Sequence, residues 1–567
     1  MAIRLRNSVP ALQVSLWDRP SKQVFNLMTR VADIAAQTLH AHGVRHAFGM
    51  PGGEVVTFID ALEAAGVRFM LARHETAAAF MAAAEGVNRD APGLLVTTVG
   101  PGLANAINGI ADASQEHVPL IIVSGVVDHD IRHRYTHQVV DQAALLRPLV
   151  KGTFEVETEG VGATVARAVR LALQHPMGPV HIDLAPGTAA KTASSDDKPL
   201  VPSRSAAVEV AASSESIRAL QKTLSNSERP LVIAGLGAVD GQAGASILAL
   251  SERLGAPVIT TYKAKGIIPE SHPHALGGAG LSPKADAFLL DLVRSSDAVL
   301  LVGYDPIEMR PGWFDPFADG VPVIDVTACS ADHGMHGVTD QFVGPVDAIL
   351  RAVVAGLKDL GTKPRWSGGE IGRARQQLEA AFASSETWGP HAVVETLQSK
   401  LDAQTIVTVD SGAHRILLSQ KLRAEHPRQI QQSAGFCTMG TALPSALGAK
   451  VGAPDRHVIA VLGDGGLEMG LGELATLRDT GTHVTVLVFQ DESLALIELK
   501  QAKAGLACNG VRLGATPFED IARAYGGLGF RVSSVEELGR ALDDARLADT
   551  FSIIVCALEA KSYVDSI

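Results

Sequence analysis

The chain has 567 residues, too many for one hydrophobic core, and therefore predicts about three domains. Its formal net charge of -12 argues against nucleic acid as a partner, and no apolar stretch is long enough to cross a membrane. The four cysteines are widely spaced and form no CxxC pair, which favours a reducing, cytoplasmic setting and argues against a structural zinc site.

The N-terminal third of the chain predicts an extension followed by an α/β domain. Residues 1–27 carry scattered arginines and prolines without the continuous apolar core of a secretory signal, so they are interpreted as an extension. Over residues 28–190, short apolar strands alternate with helical segments, which predicts a parallel sheet covered by helices. The predicted helix that opens this domain is 31–41, and the predicted strands are 68–72, 93–98, 120–124 and 180–184.

Two further units of the same kind follow, separated by linkers. Residues 189–206 and 357–370 lack hydrophobic periodicity and are rich in small, charged and Pro residues, which is typical of linkers. A middle domain is predicted over 207–357, with strands at 230–234, 256–260, 298–302 and 321–326, and a third domain over 372–560. The predicted fold class is α/β, with three doubly wound domains built on parallel sheets.

The third domain contains a β-α-β pattern at residues 457–493. A buried strand (458–462) leads into Gly463-Asp464-Gly465-Gly466, a helix (467–478) and a second strand (484–489). Because the carboxyl ends of parallel strands lie at one edge of a sheet, we expect Asp464 and Asp491 to lie close together. Glycine amides between them favour a phosphate, and two carboxylates can share Mg²⁺ with it. The four-residue motif alone is equally consistent with an ordinary tight turn.

This pattern resembles the diphosphate-binding motif of thiamine diphosphate (ThDP) enzymes. In that family an Asn follows the Asp of GDG by 27 positions, and that position here is Asp491. Asp in place of Asn keeps an oxygen ligand and adds a charge. The resemblance implies ThDP and Mg²⁺ as cofactors, with the metal held by Asp464, Asp491 and the backbone carbonyl of Ser493. The diphosphate would meet Gly463, Gly465 and Gly466.

The resemblance covers residues 28–560 and is closest to the large, catalytic subunit of acetolactate synthases. It implies that the three domains are, in order, a pyrimidine-binding domain, a middle domain and a diphosphate-binding domain. Glu75 ends an Arg-His-Glu run after a predicted strand, where the family carries the glutamate that shares a proton with the aminopyrimidine ring. Pro51, in Gly-Met-Pro-Gly-Gly, is a further cofactor contact. Without the resemblance, Glu75 is more simply a helix-start residue.

Two more motifs in the third domain resemble cofactor-binding segments. Met439, in Gly-Phe-Cys-Thr-Met-Gly, corresponds to the bulky residue that holds the cofactor bent, and the carbonyl of Cys437 would accept from its amino group. A lone Met is otherwise ordinary core filler. In Asp-Ser-Gly-Ala-His, the residues implied as diphosphate contacts are Ser411, Gly412 and His414.

Two segments bear on the substrate. His137-Gln138, followed by Asp141, resembles the Phe-Gln-Glu-x-Asp run that lines the acetolactate synthase pocket, with His in place of Phe. Zinc binding by His117, His129, His133 and His137 is the less favoured alternative, because charged residues interrupt a helical face. Leu496 and Lys500 correspond to the segment that closes over the thiazolium ring in this family, so the resemblance implies a place near the substrate. Lys500 is either an anion contact or a solvated helix residue.

The resemblance implies an enzyme that decarboxylates a 2-oxo acid and ligates the remaining fragment to a second carbonyl. Two alternatives stay open: a decarboxylase that releases an aldehyde, and a paralogue that binds ThDP without turnover. Because the family's active site lies between two subunits, a homodimer is the minimum unit and a homotetramer is expected. Gly235-Leu-Gly237 is a weak nucleotide signal, so FAD, which some relatives carry, is not predicted.

Overall fold

The computed structural model describes residues 29–202, 210–211, 214–330, 333–357 and 365–563, so the predicted extension lies outside it. The described residues form three six-stranded sheets in which neighbouring strands run parallel. Over the same residues, no helix is both long and apolar enough to span a membrane. The predicted fold class, three doubly wound α/β domains with parallel sheets, is confirmed, while the domain boundaries stay predictions.

The first sheet has the strand order β2-β1-β3-β4-β6-β5. Its strands are β1 (His46–Gly49), β2 (Arg68–Leu71), β3 (Gly93–Thr97), β4 (Leu120–Gly125), β5 (Thr153–Glu155) and β6 (Val180–Leu184). The helices of this part are α1 (Val31–Ala41), α2 (Val56–Ala64), α3 (Glu75–Arg89), α4 (Pro101–Gln115), α5 (Gln142–Leu146), α6 (Val161–Leu173) and α7 (Pro186–Ala190). Strands β3 and β4 are buried along their whole length, as expected for the centre of a sheet covered on both faces.

The second sheet has the order β12-β11-β10-β7-β8-β9. Its strands are β7 (Pro230–Ala234), β8 (Val258–Thr261), β9 (Ala275–Ala279), β10 (Ala298–Val302), β11 (Val323–Thr327) and β12 (Asp340–Val343). The helices around it are α8 (Glu215–Asn226), α9 (Leu236–Asp240), α10 (Gly244–Leu254), α11 (Pro283–Ser295) and α12 (Val346–Gly356). Short 3-10 turns occur at Tyr262–Ala264, Pro306–Glu308 and Pro311–Trp313 in this part, and at Gly53–Val55 and Ala560–Tyr563 elsewhere.

The third sheet has the order β14-β13-β15-β16-β18-β17. Its strands are β13 (Ile406–Val409), β14 (Ile430–Gln432), β15 (Val458–Gly463), β16 (Thr485–Gln490), β17 (Leu528–Val532) and β18 (Ser552–Ala557). Its helices are α13 (Glu370–Ala381), α14 (Pro390–Lys400), α15 (Ala413–Lys421), α16 (Ala442–Gly452), α17 (Asp464–Gly470), α18 (Glu473–Thr480), α19 (Ala495–Lys503), α20 (Phe518–Ala524) and α21 (Val535–Leu547). The helix predicted at 467–478 is therefore wrong as a single element, because the chain turns between Gly470 and Glu473.

The two outer sheets share one layout, and the middle sheet has another. The first and third sheets place their strands in the same relative order, counted from the first strand of each. The middle sheet instead has its first and fourth strands side by side at the centre, the arrangement of doubly wound nucleotide-binding sheets. Since this order alone does not establish a ligand, it carries no functional conclusion.

The first and third domains meet along α3 and α16. Both helices are rich in Ala and Gly, so their backbones can approach closely. A β-carbon added at Gly448 would lie 2.1 Å from the carbonyl oxygen of Met81, and one at Gly452 would lie 2.8 Å from that of Glu85. The residues of both helices belong to one continuous hydrophobic core that includes strands of both sheets. The two outer domains are therefore packed as one body within the chain.

Candidate functional site

Asp464 and Asp491 lie beside each other at the carboxyl edge of the third sheet. They follow β15 and β16, which are neighbours in register from Ile459 with Thr485 onward. The amide of Glu492, next to Asp491, donates to Oδ2 of Asp464 over 2.7 Å. Burial, followed by the nearby charge of Asp464, raises the pKa of Asp491 to about 7, and burial raises the pKa of Asp464. Two carboxylates that repel each other in this way are suited to share a cation.

Asp410 connects the segments around this pair, and the sequence analysis did not single it out. It is fully buried after β13 and accepts from the amides of Ser411 (2.8 Å), Gly440 (2.9 Å) and Thr441 (3.3 Å). A β-carbon at Gly466 would stand 2.2 Å from its Oδ2. One carboxylate thus fixes three loops relative to one another. Its position at the start of the Asp-Ser-Gly-Ala-His turn was the available signal.

The structure places Ser411 against Cys437. The Ser411 hydroxyl donates to the Cys437 carbonyl oxygen over 2.7 Å, which leaves the second lone pair of that oxygen available. Cys437 has a φ of 58°, in the left-handed region that is unfavourable for residues with a side chain. Its thiol donates to the carbonyl of Ala434 over 2.9 Å. The conformation of Cys437 is therefore held by its neighbours.

Met439 reaches over the glycine loop. The point where a β-carbon of Gly465 would lie is 3.7 Å from the terminal methyl of Met439 and 3.4 Å from Cδ2 of Leu494. Leu513 closes the same space at 3.2 Å. Gly463, at the end of β15, lies beside the ring of His414, with 3.6 Å from its β-carbon position to Cε1. The structure therefore brings Met439 to the Gly463–Gly466 loop.

His414 lies beneath this loop as a neutral, buried ring. It stacks on Phe489 with 5.5 Å between ring centroids, and burial lowers its pKa to about 3. Its Nε2 is buried and has no hydrogen-bond partner among the residues that the structure describes. Gly412 is required next to it, because a β-carbon there would lie 2.5 Å from Cε1 of His414. An orphaned ring nitrogen and a loop without side chains fit an anionic group such as a diphosphate.

Glu75 belongs to a second group, at the carboxyl edge of the first sheet. It is buried at the first position of α3, and Asn105 of α4 donates to its Oε2 over 3.1 Å. Gly102 lies next to it: a β-carbon there would be 3.5 Å from Oε1 of Glu75. The buried carboxylate therefore has one side-chain donor among the described residues, and Gly102 allows α4 to approach both Glu75 and the Thr98 methyl group closely.

Pro51 is exposed in the loop between β1 and the following 3-10 turn. The loop lies against Thr98, because a β-carbon at Gly52 would stand 2.1 Å from the Thr98 hydroxyl oxygen. That hydroxyl donates to the carboxylate of Glu54. Pro51 is thus placed at the same sheet edge as Glu75, after neighbouring strands.

Gln138 also joins the Glu75 group through its backbone. A β-carbon at Gly100, at the start of α4, would lie 2.3 Å from the carbonyl oxygen of Gln138. Gln138 itself has a φ of 58°, and its side chain and that of His137 are exposed. The ring of His137 lies edge-on to Tyr135, with 6.2 Å between centroids. The His137-Gln138 pair is therefore positioned beside the turn that carries Gly102.

The four histidines considered for zinc do not gather. His117 pairs with Asp305 of the middle domain over 2.8 Å. Within the described ranges, the set of potential ligands that lies together is His129, Glu155 and Glu157, all of them exposed, and it includes one of the four. The zinc alternative is not supported by this arrangement.

The segment after Asp491 leads away from the Asp464–Asp491 pair. Ser493 is buried, its amide donates to Oδ1 of Asp491 over 3.1 Å, and its hydroxyl bonds Glu498. Leu496 is half-buried in α19, in contact with the core of the third domain, and Lys500 is exposed on the same helix. The structure therefore brings Ser493 to the pair but does not place Lys500 in a pocket.

Glu473, which the sequence analysis did not identify, connects the domain of the Asp464–Asp491 pair to the segment that precedes Glu75. Glu473, at the start of α18, is buried and accepts from the amide of Arg73, over 3.0 Å to Oε1 and 3.2 Å to Oε2. Among the described residues, no hydrogen bond or ion pair joins Glu75 directly to Asp464 or Asp491. One chain therefore carries two groups of candidate residues, on two domains that touch.

Comparison with known protein families identifies all three domains. Residues 29–145 match the model of the N-terminal TPP binding domain of thiamine pyrophosphate enzymes, residues 217–353 match the central domain, and residues 410–556 match the C-terminal TPP binding domain. Thiamine pyrophosphate (TPP) is another name for ThDP.

Curated relatives align along most of the chain. A probable acetolactate synthase large subunit of Methanocaldococcus jannaschii is 30% identical over 537 residues, which is 91% of this chain and 90% of the relative. A probable acetolactate synthase large subunit of Methanococcus aeolicus is 28% identical over 557 residues, covering 94% and 92%. An acetolactate synthase of Bacillus subtilis is 28% identical over 522 residues, covering 90% of each.

Proposed function

Since the chain belongs to the thiamine pyrophosphate enzyme family, we propose that it uses ThDP and Mg²⁺ to decarboxylate a 2-oxo acid and to ligate the remaining fragment to a second carbonyl. The observation that carries this proposal is the pair Asp464 and Asp491 beside a glycine loop that excludes side chains. The relatives named as acetolactate synthases support the ligation step.

The third domain would hold the diphosphate end of the cofactor. Asp464, Asp491 and the Ser493 carbonyl offer oxygen ligands to Mg²⁺, which prefers them. The Nε2 of His414, which has no partner among the described residues, would be available to a phosphate oxygen, and the backbone amides of Gly465 and Gly466 would donate to the same group. When bound, ThDP supplies a carbon nucleophile that adds to the keto group and takes up the electrons as CO₂ leaves.

The remaining residues would orient the cofactor and move its proton. The Cys437 carbonyl oxygen, which already accepts from Ser411, would accept a second hydrogen bond from the amino group of the pyrimidine ring, and Met439 would pack against the cofactor beside the glycine loop. The Glu75 carboxyl would exchange a proton with a ring nitrogen, which requires hydrogen-bond distance between the two. His137 and Gln138 border the space in front of it.

Membership of the thiamine pyrophosphate enzyme family supports a homodimer as the working unit, because the active site of that family lies between two subunits. A second copy can bring its Glu75 to the diphosphate loop of the first, so that two equivalent sites form. A homotetramer and a cytoplasmic location stay predictions.

The test is incubation of the purified protein with ThDP, Mg²⁺ and pyruvate, with CO₂ and organic products measured together. Acetolactate formed in step with CO₂ would support the ligase, and acetaldehyde alone would support a decarboxylase. If no 2-oxo acid from a panel of apolar and anionic members reacts although ThDP binds, the catalytic proposal is wrong. Glu75→Gln is the matched control, because it keeps the size of the side chain and removes the exchangeable carboxyl proton.

A further inference from the structure

The loop that carries the Cys437 carbonyl is held by a carboxylate from the first domain. Glu116 follows α4 and is 5% exposed. Its Oε1 accepts from three successive amides of the third domain: Ala434 (2.9 Å), Gly435 (2.6 Å) and Phe436 (3.2 Å). Amides that converge on one oxygen form a nest that binds a charged acceptor more strongly than a neutral one.

A second carboxylate of α4 supports the same loop. Asp112, one helical turn before Glu116, accepts from the hydroxyl of Ser433. Ser433 in turn accepts from the amide of Cys437 over 2.9 Å. Burial, followed by the charge of Glu116, raises the pKa of Asp112 to about 7. Asp112 and Glu116 therefore bind residues 433–436 directly, and Cys437 is tied to them through the Ser433 hydroxyl.

The middle domain supplies the balancing charge. Lys263, in the 3-10 turn after β8, donates to Oε2 of Glu116 and to the Glu116 carbonyl oxygen, the latter over 3.0 Å. Its side chain is 14% exposed. A lysine so placed reduces the repulsion between two buried carboxylates one turn apart. Glu116 is consequently a point where all three domains meet.

This anchoring acts on a strained residue. Cys437 adopts a left-handed φ of 58°, a conformation that is unfavourable for a residue with a side chain. Without its anchors, the stretch would relax and turn the Cys437 carbonyl away from its present direction. The next residues lead to Met439, so a shift of the stretch moves both predicted pyrimidine contacts together.

We propose that Glu116 is a positioning residue that holds the stretch 433–437 so that Cys437 and Met439 meet the pyrimidine end of the cofactor, with Lys263 of the middle domain as its required counter-ion. This inference rests on the proposed function, since it assumes that ThDP binds at the Asp464–Asp491 loop. It assigns to the middle domain a direct part in assembling the cofactor site.

The experiment measures proton exchange at the reactive thiazolium carbon of ThDP bound to the full-length protein, which needs no 2-oxo acid. Glu116→Gln weakens the charged acceptor, and we expect exchange to slow about 30-fold while ThDP affinity changes about 3-fold or less, because the diphosphate contacts remain. Glu116→Asp should recover part of the rate. Lys263→Met, which leaves Glu116 in place, should slow exchange about 5-fold.

Glu85→Gln is the control for loss of a buried carboxylate. Glu85 lies on neighbouring α3, is 1% exposed and pairs with His46 and Arg89, away from the 433–437 stretch. The Glu85→Gln variant should have a lower unfolding temperature and an unchanged rate of proton exchange at the thiazolium carbon. Exchange at the wild-type rate in both Glu116→Gln and Lys263→Met would overturn the inference, even with ThDP bound. If the wild-type protein does not bind ThDP, the proposed function itself fails, which is a separate and earlier result.

Discussion

Gly466 lies directly against Asp410, so that a β-carbon at Gly466 would stand 2.2 Å from the carboxylate oxygen Oδ2. This contact locks the glycine loop to the carboxylate that also binds Gly440 and Thr441. Because the Asp410 carboxylate is fully buried, a shift of its oxygen atoms lengthens its hydrogen bonds to the amides of Gly440 and Thr441. The loop and the Met439 segment therefore depend on each other.

Gly466→Ala should disrupt this contact. We expect ThDP affinity to fall at least about 10-fold, because either the loop or Asp410 must shift and a charge-assisted hydrogen bond is lost. Gly470→Ala on the same helix is the control, since its β-carbon would meet only Leu443, at 3.9 Å. Calorimetric titration with ThDP and Mg²⁺ checks both variants. Equal affinities for the two would contradict the dependence described above.

Asp464→Asn should weaken the metal pair. Loss of one of two carboxylates removes charge attraction for a divalent ion, and we expect Mn²⁺ affinity to fall at least about 10-fold in the presence of ThDP. Free Mn²⁺ measured by electron paramagnetic resonance gives the affinity without any turnover. Asp520→Asn is the control, because Asp520 is exposed and bonds Arg523. Unchanged Mn²⁺ binding in Asp464→Asn would place the metal elsewhere.

Met439→Ala should separate cofactor binding from cofactor activation. The methyl of Met439 closes the space over Gly465, and its removal leaves the two rings free to extend. We expect ThDP affinity to change little and proton exchange at the thiazolium carbon to slow about 10- to 100-fold. Met439→Leu, of similar volume, should retain most of the rate. A loss of the same size in both variants would show that volume is not what matters.

Glu473→Ala should loosen the contact between the first and third domains. It leaves the Arg73 amide and the Thr476 hydroxyl without their acceptor in a buried place, and we expect a loss of about 2–4 kcal/mol of stability. Asp479→Asn, which breaks the exposed ion pair with Arg73 at the same contact, should leave the unfolding temperature unchanged. Differential scanning calorimetry compares them. Equal decreases in the unfolding temperature of Glu473→Ala and Asp479→Asn would contradict the role given to burial.

His457 should make the third domain sensitive to acid. Burial lowers the folded-state pKa of His457 from 6.5 to about 4. Between these two pH values the histidine is protonated in the unfolded chain and neutral in the folded chain, so protonation favours unfolding. The free energy of unfolding therefore does not depend on the protonation of His457 above pH 6.5. It falls by about 3 kcal/mol as the pH drops from 6.5 to about 4. His457→Gln should show a smaller drop in the urea midpoint between pH 7 and 4.5 than the wild type. His483→Gln, an exposed neighbour, should behave like the wild type.

Much of the fold was predictable because parallel strands and glycine turns leave local signals. The strands at 230–234 and 298–302 are apolar runs with clear ends, and they form as β7 and β10. The order of strands was not predictable in this way, because it depends on which strands meet across the sheet. Nothing local distinguishes the layout of the middle sheet from that of the outer two.

The same distinction between local signals and long-range contacts applies to the candidate site. Asp464 and Asp491 could be paired from spacing, since both follow neighbouring strands. The position of Asp410 at the start of the Asp-Ser-Gly-Ala-His turn was a local signal, but its contacts with Gly440 and Thr441 lie 30 or more positions away and could not be predicted. Glu116 could not be predicted either, because the amides that donate to it lie in another domain.

The three amides that converge on Glu116 limit how far this protein can be reduced in size. A fragment that begins at residue 365 would contain every strand of the third sheet, with Asp464 and Asp491. It would lack the acceptor for the amides of Ala434, Gly435 and Phe436, and the lysine that balances that acceptor. The inference about Glu116 therefore predicts that a module cut from the C-terminal domain alone would not activate the cofactor, and that a shortened design needs α4 and the turn after β8.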